Sequence, residues 1–127
     1  MLPLAHARVW LAASVLVVVA VIVASLVPGS QGPDTGQLDK LGHFIGYAGL
    51  AVWFGGLLAR GRYWTVALGL ALLGIGLEVL QELVATNRTG DPRDVLANLA
   101  GIGAGLGLSW WRTGGWAPRM EAWLKRN

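Results

Sequence analysis

The stretch LEVLQELVATNRTGDPRDVLANLAG, Leu77 to Gly101, decides how this chain is read. It lies between two of the longest apolar runs in the sequence, yet it carries Glu78, Gln81, Glu82, Arg88, Asp91, Arg93, Asp94 and Asn98. Apolar runs of membrane length do not accept Glu or Asn at depth without compensation, because uncompensated burial costs several kcal/mol. A function is the default explanation for polar groups kept in such a place.

The surrounding composition sets the class. The chain has 127 residues, 54% hydrophobic and 13% charged, with 19 glycines and a mean hydropathy of +0.55. Soluble domains carry about 25% charged residues, so half that share implies an all-α polytopic membrane protein, a single domain over residues 1–127. The absence of Cys excludes disulfides, thiolate nucleophiles and cysteine metal sites. A pI near 10.0 reads as loop charge that orients the protein in a bilayer. No interleaved basic and aromatic stretch supports nucleic-acid binding.

Working outward, the apolar run before the deciding stretch begins at the interfacial pair Tyr63-Trp64 and extends to about Ala85, with its polar groups in the last two turns. After it, Asp91 as N-cap and Pro92 in the first helical turn start a run to Trp110-Trp111. Upstream, Arg60-Gly61-Arg62 closes a run from about Leu41 to Ala59, which Asp39, Lys40 and His43 introduce. Ser30 to Gln37 reads as a turn-rich loop. Val9 to Val27 is uncharged and as a helix spans about 28 Å, close to the hydrocarbon core, with Pro28-Gly29 as its stop. It is too long for a signal-peptide core, which favours a retained anchor over a cleaved leader. The expectation is four transmembrane helices at about 9–27, 41–59, 63–85 and 92–111. In the tail, Trp116, Met120, Trp123 and Leu124 recur at helical spacing and suit a short interfacial helix; a frayed tail is the competing reading.

Four spans place Arg8, Arg60, Arg62, Arg112, Arg119, Lys125 and Arg126 on one side and Lys40, Arg88 and Arg93 on the other. The positive-inside rule then puts both termini in the cytoplasm and all the polar groups at the extracytoplasmic mouth.

Spacing sorts those groups into stripes. Asp39, His43 and Tyr47 share one helix face, and Glu78 has Gln81 and Glu82 at i+3 and i+4. Asp94, Asn98, Gly101 and Gly105 form another stripe, polar at its mouth and deeper in suited to close helix packing. His43, Glu78 and Asp94 are the acid/base candidates. Asp39, Lys40, Tyr47, Gln81, Arg88 and Asn98 are the ligand-binding candidates, with Arg88 suited to an anion. Each has a plainer alternative: a hydrogen-bonded histidine, a protonated Glu78 tying helices, asparagine as packing glue, Arg88 as loop charge, and Glu82, Asp91 and Arg93 as solvated or capping groups. The glycines of GIGAGLG do not follow a strand and serve packing. No spacing supports a metal site from His43, Glu78 and Asp94, and no motif implies a cofactor.

DKLGHFIGYAGL (Asp39 to Leu50), LEVLQ (Leu77 to Gln81) and NRTGDPRDVLANLAGIGAG (Asn87 to Gly105) together resemble the VanZ-like family of small bacterial membrane proteins. The family pattern opens one helix with Asp-Lys-x-x-His, closes the next with Glu-x-x-Gln, and places an Arg before an Asp-x-x-x-Asn-x-x-Gly-x-x-x-Gly helix. Asp39, Lys40, His43, Glu78, Gln81, Arg88, Asp94, Asn98, Gly101 and Gly105 match it, Tyr47 also fits, and the likeness covers about Asp39 to Gly107. Thr86-Asn87 departs from the Pro-Gly that often precedes the Arg, and Asp91 and Arg93 are extra charges. The resemblance implies a cell-envelope role in the bacterial cytoplasmic membrane; the family takes its name from a member linked to teicoplanin resistance.

Two functions follow as expectations. One is an envelope factor, enzyme or binder, that takes a membrane lipid or lipid-linked envelope precursor in an outward-facing polar pocket. The other is a non-catalytic scaffold whose polar cluster holds the helices in register. A small transporter would require a homo-oligomer. Pocket geometry separates the first two: a binder keeps His43, Glu78 and Arg88 around a cleft, and a scaffold pairs them directly.

Overall fold

The computed structural model describes residues 2–26, 35–84 and 91–126, with the backbone alone at 35, 36 and 84. Arg88, Thr86-Asn87, the Pro28-Gly29 stop and the first part of the turn-rich loop lie outside the described residues. Every regular element among the described residues is helical: α1 (Ala7–Leu26), α2 (Thr35–Leu57), a 3₁₀ turn (Arg60–Arg62), α3 (Tyr63–Val84), α4 (Pro92–Leu108), a π-helical turn (Ser109–Thr113) and α5 (Trp116–Leu124).

Two of these are long and apolar enough to cross a membrane, Ala7–Leu26 and Arg60–Leu83. α2 carries Asp39 and Lys40 amid its glycines, and α4 is only 17 residues long with Arg93 and Asp94 in its first turn. The expected span boundaries lie within a few residues of α1, α3 and α4. α2 is the exception. It begins at Thr35, so Thr35 to Gln37 are helical where the sequence suggested a loop. A single glycine at position 36 costs a helix only about 1 kcal/mol, which the long run behind it absorbs.

α2 and α4 run parallel and form the most extensive helix pair. The register holds along the whole seam: His43 meets Asn98, Phe44 and Ala48 meet Gly101, Ala48 and Ala51 meet Gly105, and Gly55 meets Ser109. A Cβ on Gly101 would collide with the Phe44 carbonyl, and one on Gly105 with the Ala48 carbonyl. Glycine at these two positions brings the helix backbones together, as small-xxx-small seams do where packing rather than hydrophobicity drives association. α3 packs mainly on α4, and α1 lies on the outside against α2 and α3.

The core is small: Tyr47, Leu50, Ala51, Val66, Leu70 and Ile102. Large apolar side chains cover much of the outside instead, including Val15, Leu16 and Val23 on α1 and Leu68, Leu72, Ile75 and Leu83 on α3.

The two ends of the bundle differ. At one end the start of α1, the end of α2, the start of α3 and α5 come together. Trp10, Trp53 and Trp116 cluster there in tilted and edge-to-face contacts with ring centroids 5.2–6.1 Å apart. The π-helical turn closes with the Gly114 amide donating to the Ser109 carbonyl at 2.7 Å. Gly115, at φ 70°, then turns the chain back into α5; this left-handed position favours glycine. The expected C-terminal helix is thus formed, and it is docked into the fold: its buried face is Ala117 and Glu121, Trp116 leans inward, and Met120, Trp123 and Leu124 face out. The tail is therefore a packed helix and does not fray over Trp116–Leu124. The other end gathers the start of α2, the end of α3 and the start of α4.

Candidate functional site

The polar end is built by the α2–α4 seam. Asp91 caps α4, its Oδ1 accepting from the Arg93 amide at 2.9 Å, and this fixes where the first turn of α4 begins. Its Oδ2 accepts from Lys40 Nζ at 3.0 Å, and its backbone amide donates to Glu78 Oε1 at 2.8 Å. The Arg93 amide, and after it the Lys40 ammonium, hold the Asp91 carboxyl below its ordinary pKa. One residue therefore joins α2, α3 and α4.

One turn deeper, Asp94 and Asn98 face α2, with 4% and 2% of their surfaces exposed. Asn98 Oδ1 lies 3.1 Å from His43 Nδ1. An amide oxygen only accepts, so Nδ1 donates and carries the proton. The other ring nitrogen, Nε2, points at Asp39 Oδ1 from 3.9 Å, beyond hydrogen-bond reach. Asp94 Oδ1 is buried and, apart from Lys40 Nζ 3.5 Å away at ion-pair distance, has no hydrogen-bond partner among the described residues. The Tyr47 hydroxyl is also buried and has no hydrogen-bond partner among the described residues. Asp39, His43 and Asp94 can each bring one ligand atom to within 4.8 Å of the others, the geometry of a metal-binding group.

Beside this cluster, between α1 and the first half of α2, is a cleft of about 220 Å³. Val21, Ala24 and Leu38 give it apolar walls, Gly42 and Gly46 a smooth floor, and Asp39, His43 and Tyr47 its polar side.

The structure thus brings together most of the residues singled out in the sequence, in two groups. Asp39, His43 and Tyr47 border the cleft. Lys40, Glu78, Asp94 and Asn98 pair across helices. Glu78 contacts the α4 cap and is not among the cleft-lining residues. Gln81 is buried at 4% exposure and donates to the Ser25 carbonyl, tying α3 to α1 away from the cluster. Arg88, the expected anion contact, lies outside the described residues. Asp91 is more than the solvated or capping group its sequence position suggests; the Lys40–Asp91 pair joins residues 51 apart in sequence, and its only sequence signal is the opposite charge.

Sequence reasoning passed over Glu121 altogether. This carboxylate sits under the tryptophan cluster, 7% exposed. It accepts from the Ala5 amide at 2.7 Å, the His6 amide at 3.0 Å and Trp10 Nε1 at 2.8 Å. Burial alone would push its pKa up, but the amides of Ala5 and His6 and the Trp10 indole outweigh that and hold it at about 2. A lone Glu inside an amphipathic tail carries no signal of so distant a set of partners.

Comparison of the chain with protein-family models, with curated proteins and with solved structures found no match.

Proposed function

We propose that the protein is a polytopic membrane protein of the VanZ-like kind that binds, at its α1–α2 cleft, the headgroup region of a membrane lipid or lipid-linked envelope precursor. One observation carries the reading: a cleft with apolar walls and one polar side, bordered by His43, Asp39 and Tyr47. A lipid presents the same pairing of acyl chain and polar head. The family reading is supported by the way its motif residues meet: Asp39, His43, Asp94, Asn98, Gly101 and Gly105 all fall on one α2–α4 seam.

In this reading all four long helices cross the cytoplasmic membrane of a bacterium. The short α4 completes its span through the π-helical turn, and α2 enters with Asp39 and Lys40 at the extracytoplasmic surface. Both termini lie in the cytoplasm, at the tryptophan-rich end where most Lys and Arg are found. α1 stays with the protein, since Ser14, Ser25 and the chain before it are hydrogen-bonded to α2, α3 and α5. His43 is the acid/base candidate at the cleft, and Asp94 and Asn98 orient the groups behind it.

A second reading has its own support. Lys40 with Asp91 and Asp94, His43 with Asn98, and Glu78 with the Asp91 amide are direct ties between helices, as a scaffold would have them.

Gly46→Leu separates the two. A Cβ at Gly46 meets nothing within 4 Å, so the larger side chain enters the cleft without displacing the bundle. Native mass spectrometry of the parent from mild detergent is expected to show lipid retained in stoichiometric amount, and Gly46→Leu is expected to lose it at unchanged melting temperature. Retention of the same lipid by the variant sinks the cleft reading and leaves the scaffold.

A further inference from the structure

We propose that Asp39, His43 and Asp94 form a binding site for a divalent transition-metal ion at the mouth of the α2–α4 seam. The inference shares two residues with the cleft, but it rests on the donor set alone and holds whatever the cleft contains.

Three observations converge. First, the three side chains place one donor atom each within 4.8 Å of one another, two from a single face of α2 at i and i+4 and the third from α4. Second, the imidazole is set up as a ligand. Asn98 accepts the Nδ1 proton, which leaves the Nε2 lone pair beside the Asp39 carboxylate at 3.9 Å, with the His43 side chain only 8% exposed. Metal-bound histidines are usually held this way, the far ring nitrogen donating to a carbonyl or carboxylate behind it. Third, the bases face each other without a hydrogen bond between them. Nε2 and Asp39 Oδ1 are 3.9 Å apart, and Asp94 Oδ1, on a side chain 6% exposed, has no hydrogen-bond partner among the described residues other than Lys40 at ion-pair distance. A buried carboxylate oxygen favours a nearby cation, and at Asp94 Oδ1 a metal ion would join or replace Lys40 in that role.

The dimensions fit an ion. Ligands about 2.1 Å from a tetrahedral metal lie roughly 3.4 Å from one another; His43 Nε2 and Asp39 Oδ1 are 3.9 Å apart and all three donors lie within 4.8 Å, so the side chains draw in on binding. Lys40 is the competing cation at Asp94. Its shorter contact is to Asp91, at 3.0 Å against 3.5 Å, so it keeps a partner when a metal takes Asp94. One imidazole with two carboxylates favours a zinc-like ion over magnesium, which prefers oxygen ligands and water. Three protein ligands leave a fourth position open, in the manner of sites that hold a water or a substrate oxygen.

The probe is Zn²⁺ alone, titrated calorimetrically into the delipidated full-length protein in detergent at neutral pH, with Mg²⁺ in parallel. The parent is expected to bind one Zn²⁺ per chain and to show no saturable Mg²⁺ binding. His43→Ala and Asp39→Asn are each expected to weaken Zn²⁺ roughly tenfold or more. Asp39→Asn keeps the test sound if the buried His43 or Asp94 variants fold poorly, and melting curves confirm the fold in each case. His6→Ala, at the opposite end of the bundle, is expected to bind as the parent does. No saturable Zn²⁺ binding by folded parent, or equal binding by Asp39→Asn and His43→Ala, overturns the site; the space between His43 and Asp39 is then filled by a proton. Lipid retention measured separately in the presence of a chelator reports on the cleft, so either proposal can fail without the other.

Discussion

Glu121 and Asp94 are two carboxylates buried to similar degrees at opposite ends of one bundle, and they are treated differently. Glu121 accepts three hydrogen bonds from the beginning of the chain, under a lid of three tryptophans. Asp94 has one oxygen with no hydrogen-bond partner among the described residues and a lysine at 3.5 Å, beside a histidine whose Nε2 lies 3.9 Å from another carboxylate. Among the described residues the first environment is complete, while at the second Asp94 Oδ1 and the Tyr47 hydroxyl have no hydrogen-bond partner. Buried polar groups are nearly always satisfied, so such atoms mark where a ligand would bind. On this comparison the tryptophan-rich end is a structural lock and the polar end the candidate site.

The comparison can be broken most severely through the seam that joins the two ends. Gly101→Ala puts a methyl group into the Phe44 carbonyl and is expected to cost about 1–3 kcal/mol, the range for overpacking. Gly103→Ala, where a Cβ meets nothing within 4 Å, is expected to be neutral or to stabilise by up to about 1 kcal/mol through helix propensity. Reversible unfolding in mixed micelles measures both. Equal effects would mean the close α2–α4 approach does not hold the molecule together.

Next is the lock itself. Glu121→Gln removes the charge that three donors share and is expected to lower the melting temperature by several degrees. The sign with pH follows from the shift. The pKa is about 2 against an ordinary 4.5, so the carboxylate's contribution is full above 4.5 and is lost as pH falls through 2. The gap in melting temperature between parent and Glu121→Gln is therefore expected to narrow steadily over that window. A gap that is constant with pH would show that the charge at Glu121 contributes nothing.

His43→Ala is expected to have a smaller effect, about 0.6–1 kcal/mol for one interhelical hydrogen bond within a membrane protein. A much larger loss, read in the same unfolding assay, would move the polar end toward the scaffold reading. Tyr47→Phe should have the smallest effect. Its hydroxyl has no hydrogen-bond partner among the described residues, so its removal is expected to change stability by less than about 0.5 kcal/mol, or to raise it.

What the sequence made legible was local. The apolar runs, the Arg60–Arg62 break and the Asp91-Pro92 helix start all follow from a few neighbouring residues, and the helices begin and end near them. The stripes on α2 and α4 were also readable, because i, i+4 spacing is fixed by helix geometry. What joins the stripes was not. Asp94 comes close to Asp39 only because α2 and α4 run parallel in a register set by glycines touching carbonyls, and such long-range register leaves no periodic trace. Glu121 was invisible for the same reason, with its partners 111–116 residues away. The tail's apolar stripe carries a helical spacing and the segment is a helix, but the face that packs is Ala117 and Glu121, too short a pattern to stand out.

The most direct test of the account places one variant from each end side by side: Asp39→Asn/Tyr47→Phe against Glu121→Gln, melted in the same detergent at neutral pH. If the polar end is a site and the other a lock, the double variant melts at or above the parent while Glu121→Gln melts below it. A double variant that melts as far below the parent as Glu121→Gln, or further, would contradict the account and make the polar end a structural tie.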